Sequence, residues 1–202
     1  MNTINAIYGI DLHYARTTDH PYGAIGVQRS FEIDDGFLII LKAALKDVFD
    51  HCPLGKPNVI TTAGIEVGKP VQHRQGKAFD LDAIFWDNHS LVTNNVVHQN
   101  LLYLGIESFL RKYFGIVLNH FYPNHADHWH LDSSVSVDYN TNAKSETLYV
   151  QLVLQYIYGK SLIIDGIWGR QTSRLVEEVF NRLNTMTDSH NLEATIDKIL
   201  TS

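Results

Sequence analysis

The chain has 202 residues, of which 45% are apolar and 19% charged, enough to bury the core of one mid-sized domain or a domain plus a small module. That balance excludes a disordered polymer, and the net charge of −6 argues against a nucleic-acid partner. A single cysteine, Cys52, excludes an intramolecular disulfide and any multi-cysteine zinc site.

The opening "MNTINAIYGIDLHYAR" has neither a basic n-region nor a long apolar h-region, and no apolar run approaches the ~20 residues that span a bilayer. The expectation is a chain made in the cytoplasm without a signal peptide and without membrane insertion. The first thirty residues are rich in Gly, Tyr, Thr and His and carry no clear period. "IDDGFLIILKAALKDVFDHCP" is a predicted helix. Phe37, Ile40, Leu41, Ala44, Leu45, Val48 and Phe49 repeat at three-four spacing, Asp34 or Asp35 is available as N-cap, and Pro53 stops it.

A short strand is predicted over 58–65. The stretch "HRQGKAFDLDAIFW", residues 73–86, then runs into a two-residue alternation. Phe79, Leu81, Ala83 and Phe85 face one side, and Ala78, Asp80 and Asp82 the other. Either this is an ordinary half-solvated strand, or its polar face lines a site. "VTNNVVHQNLLYLGIESFLRKYFG" reads as a second helix, with Val97, Leu101, Leu104, Phe109 and Phe114 inward and Gly115 as C-cap. "GIVLNHF" and "HWHLD" read as strands.

Helices and strands mix without a regular βαβ rhythm, so the expected class is α+β, a small antiparallel sheet with flanking helices. The polar segment 133–146 is a predicted linker between a domain at 1–135 and a small three-helix domain at 146–202. The last of those three helices falls near "NLEATIDKIL".

Eleven histidines are many for this length, and four lie between His120 and His130. In an extended "HWHLD", His128, His130 and Asp132 share one face and Trp129 and Leu131 take the other. Catalytic zinc keeps three protein ligands and leaves a fourth position for water. His73, Asp80 and His130 would supply such a set, leaving Asp127 as a carboxylate near the water. Spacing alone leaves solvated loop histidines as the alternative.

"HRQGKAFD" resembles the HxxGxAxD element of the zinc D-Ala-D-Ala peptidase superfamily, and "DHWH" resembles its second element, an acid three residues before the last histidine ligand. "FGIVLNHFYPNHADHWHLD" is similar to the extensin-like C-terminal branch. The resemblance implies zinc held by His73, Asp80 and His130, with Asp127 as general base. It implies that His128, like the extra histidine of HxH-bearing relatives, helps stabilise the oxyanion. Three positions depart from the pattern. Val71 stands where a serine is common, Asp127 where many relatives carry Glu, and no arginine matches the one that often precedes the first element. Arg74 and His128 are then the candidates for polarising the scissile carbonyl.

A second resemblance covers "VQLVLQYIYGKSLIIDGIWGRQTSRLVEEVF", which looks like the peptidoglycan-binding repeat domain, with a VxxLQ-type first helix and a DGxxGxxT turn. Asp165 and Gly166 suit a tight reversal, Gly169 adds a second permissive backbone, and Thr172 can cap the next helix. Trp168 either presents an aromatic face to a glycan or peptide, or packs in the core.

Together the resemblances imply a zinc peptidase acting on the peptide stems or cross-links of bacterial peptidoglycan. With no signal peptide read in the sequence, the expected route to that polymer is that of an antibacterial effector or a phage-type lysin. An immunity or inhibitor protein would be a further partner in the effector case. The rivals are a non-catalytic wall-binding protein with a structural metal site, and a zinc amidase on the same polymer.

Overall fold

The computed structural model describes residues 1–65 and 71–186. The chain divides into two compact units, Met1–Asp138 and Tyr139–Ser202. No helix among the described residues is long and apolar enough to cross a membrane.

The first unit opens with short strands β1 (Asn2–Ile4), β2 (Ala6–Ile7), β3 (Ile10–Tyr14), β4 (Val27–Gln28) and β5 (Phe31–Ile33), which lead into helix α1 (Asp35–His51). Then come β6 (Val59–Gly64), a single helical turn α2 (Val71–Arg74), the long strand β7 (Ala78–Phe85) and β8 (Ser90–Val92). A 3-10 turn at Thr93–Asn95 precedes α3 (Asn100–Leu110), followed by β9 (Ile116–Leu118) and β10 (Trp129–Asp132). The fold is α+β, as expected.

The sheet is larger than expected and mixed. Eight strands run β2-β3-β6-β7-β10-β9, with β4 on β3 and β8 on β7. β3 and β6 are parallel, pairing Asp11 with Val59 and His13 with Thr61, because the chain crosses over through α1 between them. β1 and β5 form a separate antiparallel pair.

α1 forms for the reasons read from its sequence. The Asp34 side chain accepts from the Phe37 amide at 3.0 Å, a cap worth about 1 kcal/mol. Phe37, Leu41, Ala44, Leu45, Val48 and Phe49 are buried. The second helix differs from expectation. The 3-10 turn shifts its phase, so Val97 and Leu101 are 53% and 65% exposed, while Tyr103, Leu104, Ile106 and Phe109 face inward. It ends at Leu110 with Arg111 as C-cap. Gly115 is instead a close-approach site, since a Cβ there would meet the Val135 carbonyl oxygen at 2.2 Å.

β7 lies in the middle of the sheet, flanked by β6 and β10, and Ala78 through Ile84 are all buried. It is therefore not a half-solvated strand. Both aspartates, Asp80 and Asp82, have no exposed surface. Gly76 makes the reversal between α2 and β7 possible. Its φ is +66°, and a Cβ would come within 2.8 Å of the Asp34 amide nitrogen. That amide donates to the Gly76 carbonyl at 3.0 Å, tying the turn to the start of α1.

The second unit is described as helices α4 (Lys144–Tyr156) and α5 (Arg170–Met186) around Leu154, Leu175 and Val179. The third helix expected near "NLEATIDKIL" lies outside the described residues. The connection between α4 and α5 is organised by one buried side chain, Gln151. Its Nε2 donates to Asp165 Oδ1 at 2.9 Å, and its Oε1 accepts from the Asp165 and Gly166 amides at 3.1 and 2.8 Å. Gly166 sits at φ +72° in this reversal. Thr172 lies in the first turn of α5 rather than capping it, with its hydroxyl 3.3 Å from Gln151 Nε2. Gly169 is not in the left-handed region and precedes the helix.

Gln151→Leu keeps the volume but removes the acceptor of the Asp165 and Gly166 amides. It should destabilise this unit by about 2 kcal/mol. Hydrogen exchange of the α4 amides checks it. Protection should fall roughly 30-fold, and unchanged protection would show that the turn holds without Gln151.

Candidate metal centre

The antiparallel register of β7 and β10 sets Asp80 directly opposite His130, with Leu81 opposite Trp129 and Phe79 opposite Leu131. Opposed residues on one face have Cβ atoms about 5 Å apart, so the two side chains meet. The α2 turn brings His73 into the same place. His73 Nε2 is 3.1 Å from Asp80 Oδ1, His130 Nδ1 is 2.9 Å from that oxygen, and the two ring nitrogens are 3.2 Å apart. This buried cluster of His73, Asp80 and His130 can hold a metal ion. A tetrahedral divalent ion with bonds near 2.0 Å needs donors about 3.3 Å apart, close to the spacing found.

The outward nitrogen of each imidazole is also held. His73 Nδ1 donates to the Ile65 carbonyl at 2.7 Å, which leaves Nε2 as the inward lone pair. His130 Nε2 donates to Asp132 Oδ2 at 3.1 Å, and Asp132 Oδ1 accepts from the Ser134 amide and hydroxyl at 2.9 and 2.6 Å. Asp132 is a candidate functional residue that the sequence places on the right face without marking a role for it.

The electrostatics suit a cation. Burial pushes the Asp80 carboxyl up, but hydrogen bonds from His130 and His73 outweigh it and hold the group well below the usual carboxylate range. Burial lowers the His130 imidazole, while Asp132 and Asp80 together raise it to about 9. The two carboxylates that favour a proton at His130 also favour a divalent ion there.

The cluster opens into a pocket of about 510 Å³, lined also by His125, His128, Leu118 and Val71. His128 is buried, and its Nε2 lies 3.7 Å from Asp80 Oδ1. Its Nδ1 donates to Asp127 Oδ1 at 2.7 Å. Asp127 reaches the pocket through this contact, and its second oxygen accepts from Arg16 Nη1 at 2.6 Å. Burial raises the Asp127 carboxyl, but Arg16 and His128 hold it below its ordinary value.

Arg16 was not singled out by the sequence. It lies just beyond β3, in a stretch without a period, and 111 positions separate it from Asp127. It also forms a bidentate pair with Asp82, at 2.9 and 2.8 Å. Asp82 is therefore neither solvated nor free. Burial raises its carboxyl to about 6 against the pull of Arg16.

Arg74, named from the sequence as a candidate for polarising a carbonyl, is exposed at the end of α2 and does not line the pocket. Trp168 is half-buried in the second unit, its ring edge-to-face with Tyr139 at 6.0 Å. Comparison of the chain with models of known protein families, with curated proteins and with solved structures finds no match.

Proposed function

We propose that the chain is a zinc-dependent peptidase acting on the peptide stems or cross-links of bacterial peptidoglycan. The observation that carries this reading is the buried His73–Asp80–His130 cluster. It opens to a pocket, and each imidazole is fixed from behind by an acceptor. Two imidazoles and one carboxylate suit zinc, and three protein ligands leave a position for water or substrate. Zinc held there would supply Lewis acidity, lowering the pKa of its water and offsetting negative charge on a carbonyl oxygen.

The chain's own residues would do the rest. Asp127 fixes the His128 tautomer so that Nε2 faces the cluster. As a pair they would take the proton of the attacking water and return it to the leaving amine. Peptidoglycan is named as substrate because the residues of both motifs resemble those of wall-directed peptidases and of the peptidoglycan-binding repeat. On this reading residues 146–202 are a wall-binding module. The protein is then an antibacterial effector or phage-type lysin that meets its polymer outside the cytoplasmic membrane, and in the effector case it is matched by an inhibitor protein in the producing cell.

Digestion of purified sacculi with and without a chelator tests this, with mass spectrometry of the products. Chelator-sensitive release of fragments cut at peptide bonds is the expected result. Release of intact stems by cleavage of the amide that joins them to the lactyl group of the glycan would make the chain an amidase. Zinc-loaded protein that binds sacculi but releases nothing would make it a wall-binding protein with a structural metal.

A further inference from the structure

Asp82 is a fully buried carboxylate two positions from Asp80, and the proposed chemistry makes no use of it. Its side chain is held by the fork of Arg16, with Nε to Oδ2 at 2.9 Å and Nη2 to Oδ1 at 2.8 Å. The same guanidinium turns its remaining nitrogen outward, and Nη1 reaches Asp127 Oδ2 at 2.6 Å. Tyr22 lies beneath it, ring centre 5.3 Å from Cζ. The Tyr22 hydroxyl bonds Thr93 Oγ1 at 2.9 Å, and Thr93 donates to the Asp82 carbonyl at 3.0 Å.

We infer that Arg16 is a positioning residue that ties Asp127, and through it the His128 ring, to the rigid centre of the sheet. Asp127 needs such a tether. It sits at the end of the irregular segment between β9 and β10, and its side chain is 41% exposed. An ion pair at that exposure is ordinarily weak, because two side chains must be ordered to form it. Here the bidentate contact to buried Asp82 has already ordered the arginine, so the third donor is preorganised. Both carboxylates also sit on elements next to the cluster, Asp82 on β7 and Asp127 against β10. The guanidinium therefore spans the two strands that supply Asp80 and His130. Lysine, a single point of charge, cannot make a planar fork to one carboxylate and a separate bond to another.

This inference rests on the hydrolase reading, and one part of its test does not depend on activity. Arg16→Ala/Asp82→Asn removes the tether without leaving a buried charge unpaired, and Arg16→Lys keeps the charge. Both should hold zinc at the wild-type ratio. On soluble muropeptides, kcat should fall about 10- to 100-fold with KM nearly unchanged, as for a displaced catalytic group. Guanidinium ion should restore part of the rate to Arg16→Ala.

The readout independent of activity is the His128 Nδ1–H proton resonance. It should stand out in the wild type and be lost or exchange-broadened in the double variant. Wild-type kcat in Arg16→Lys, or an unchanged His128 resonance in the double variant at full zinc occupancy, would overturn the inference. A wild-type chain that hydrolyses nothing would sink the hydrolase reading instead, while the resonance would still decide the tether.

Discussion

Asp80→Asn should empty the metal site and abolish hydrolysis while leaving the sheet in place. The substitution is nearly isosteric within a buried strand, so packing changes little. What changes is charge. Asp80 Oδ1 lies 3.1 Å from His73 Nε2 and 2.9 Å from His130 Nδ1, and it belongs to the only carboxylate in the three-residue cluster. Without it a divalent ion would face two neutral imidazoles and an amide in a buried site, where uncompensated charge is costly. The measurement is zinc content after dialysis at sub-micromolar free metal, expected near one per chain in the wild type and near zero in the variant. A thermal readout accompanies it. Zinc at about 100 times its Kd stabilises the folded chain by about 2.7 kcal/mol. That is roughly 5–10 °C in Tm for a chain of this size. A chelator should remove this increment from the wild type and leave Asp80→Asn where it was. Retention of stoichiometric zinc by Asp80→Asn would show that the ion sits elsewhere. His73→Ala and His130→Ala should behave like Asp80→Asn.

What was legible in the sequence was local. The face of α1 followed from three-four spacing, and its start from Asp34, because both signals act within a single turn. The β7 strand showed its period, and the histidine before it lay a fixed short distance away. His73, Asp80 and His130 could thus be grouped from two short elements, and the structure brings them together. The parallel pairing of β3 with β6 was not legible. Those strands are five and six residues long, and their register depends on where α1 deposits the chain rather than on an alternation either one displays. The phase of α3 was missed for a related reason. Val96 and Val97 extend an apolar pattern that reads as helix, but the backbone spends those residues leaving the 3-10 turn, and only Val96 is buried.

The same contrast runs through the site. Residues of the candidate metal cluster come from recognisable spacings, whereas those that brace them come from contacts across the sheet. Arg16 is a lone cation in a Gly- and Tyr-rich stretch, and nothing nearby marks it as the partner of two aspartates. Gln151 is the corresponding case in the second unit. Within α4 it looks like one polar position among many, yet it gathers the turn residues Asp165 and Gly166. A side chain that satisfies distant backbone or carboxylate groups leaves no periodic trace, because its partner is set by the fold and not by chain spacing.

Glu107→Ala should destabilise the first unit by about 3–5 kcal/mol, the cost of removing one partner from a buried charged network. Glu107 has no exposed surface on the inner face of α3. Its Oε1 accepts from Arg111 Nε and Nη2 at 3.0 and 2.7 Å and from Asn119 Nδ2 at 2.9 Å, and its Oε2 accepts from Trp129 Nε1 at 3.1 Å. Truncation takes the charged partner from Arg111, which keeps its bond to the Val117 carbonyl, and removes the acceptor of two neutral donors at once. It also leaves a void beside Trp129, which stacks on Tyr103 at 4.2 Å. Urea denaturation followed by near-ultraviolet circular dichroism measures the loss, and an unchanged midpoint would show that the network contributes nothing net. The site should feel it as well. Trp129 lies between His128 and His130 on β10, and its indole N–H is the bond that fixes this strand against α3. Loss of a partner that orients a ligand costs about 10- to 100-fold in metal affinity, and a comparable weakening is expected in Glu107→Ala at temperatures where it remains folded. Metal titrations at low temperature separate that effect from global unfolding. Affinity equal to the wild type would mean that pairing with β7 alone holds His130 in position.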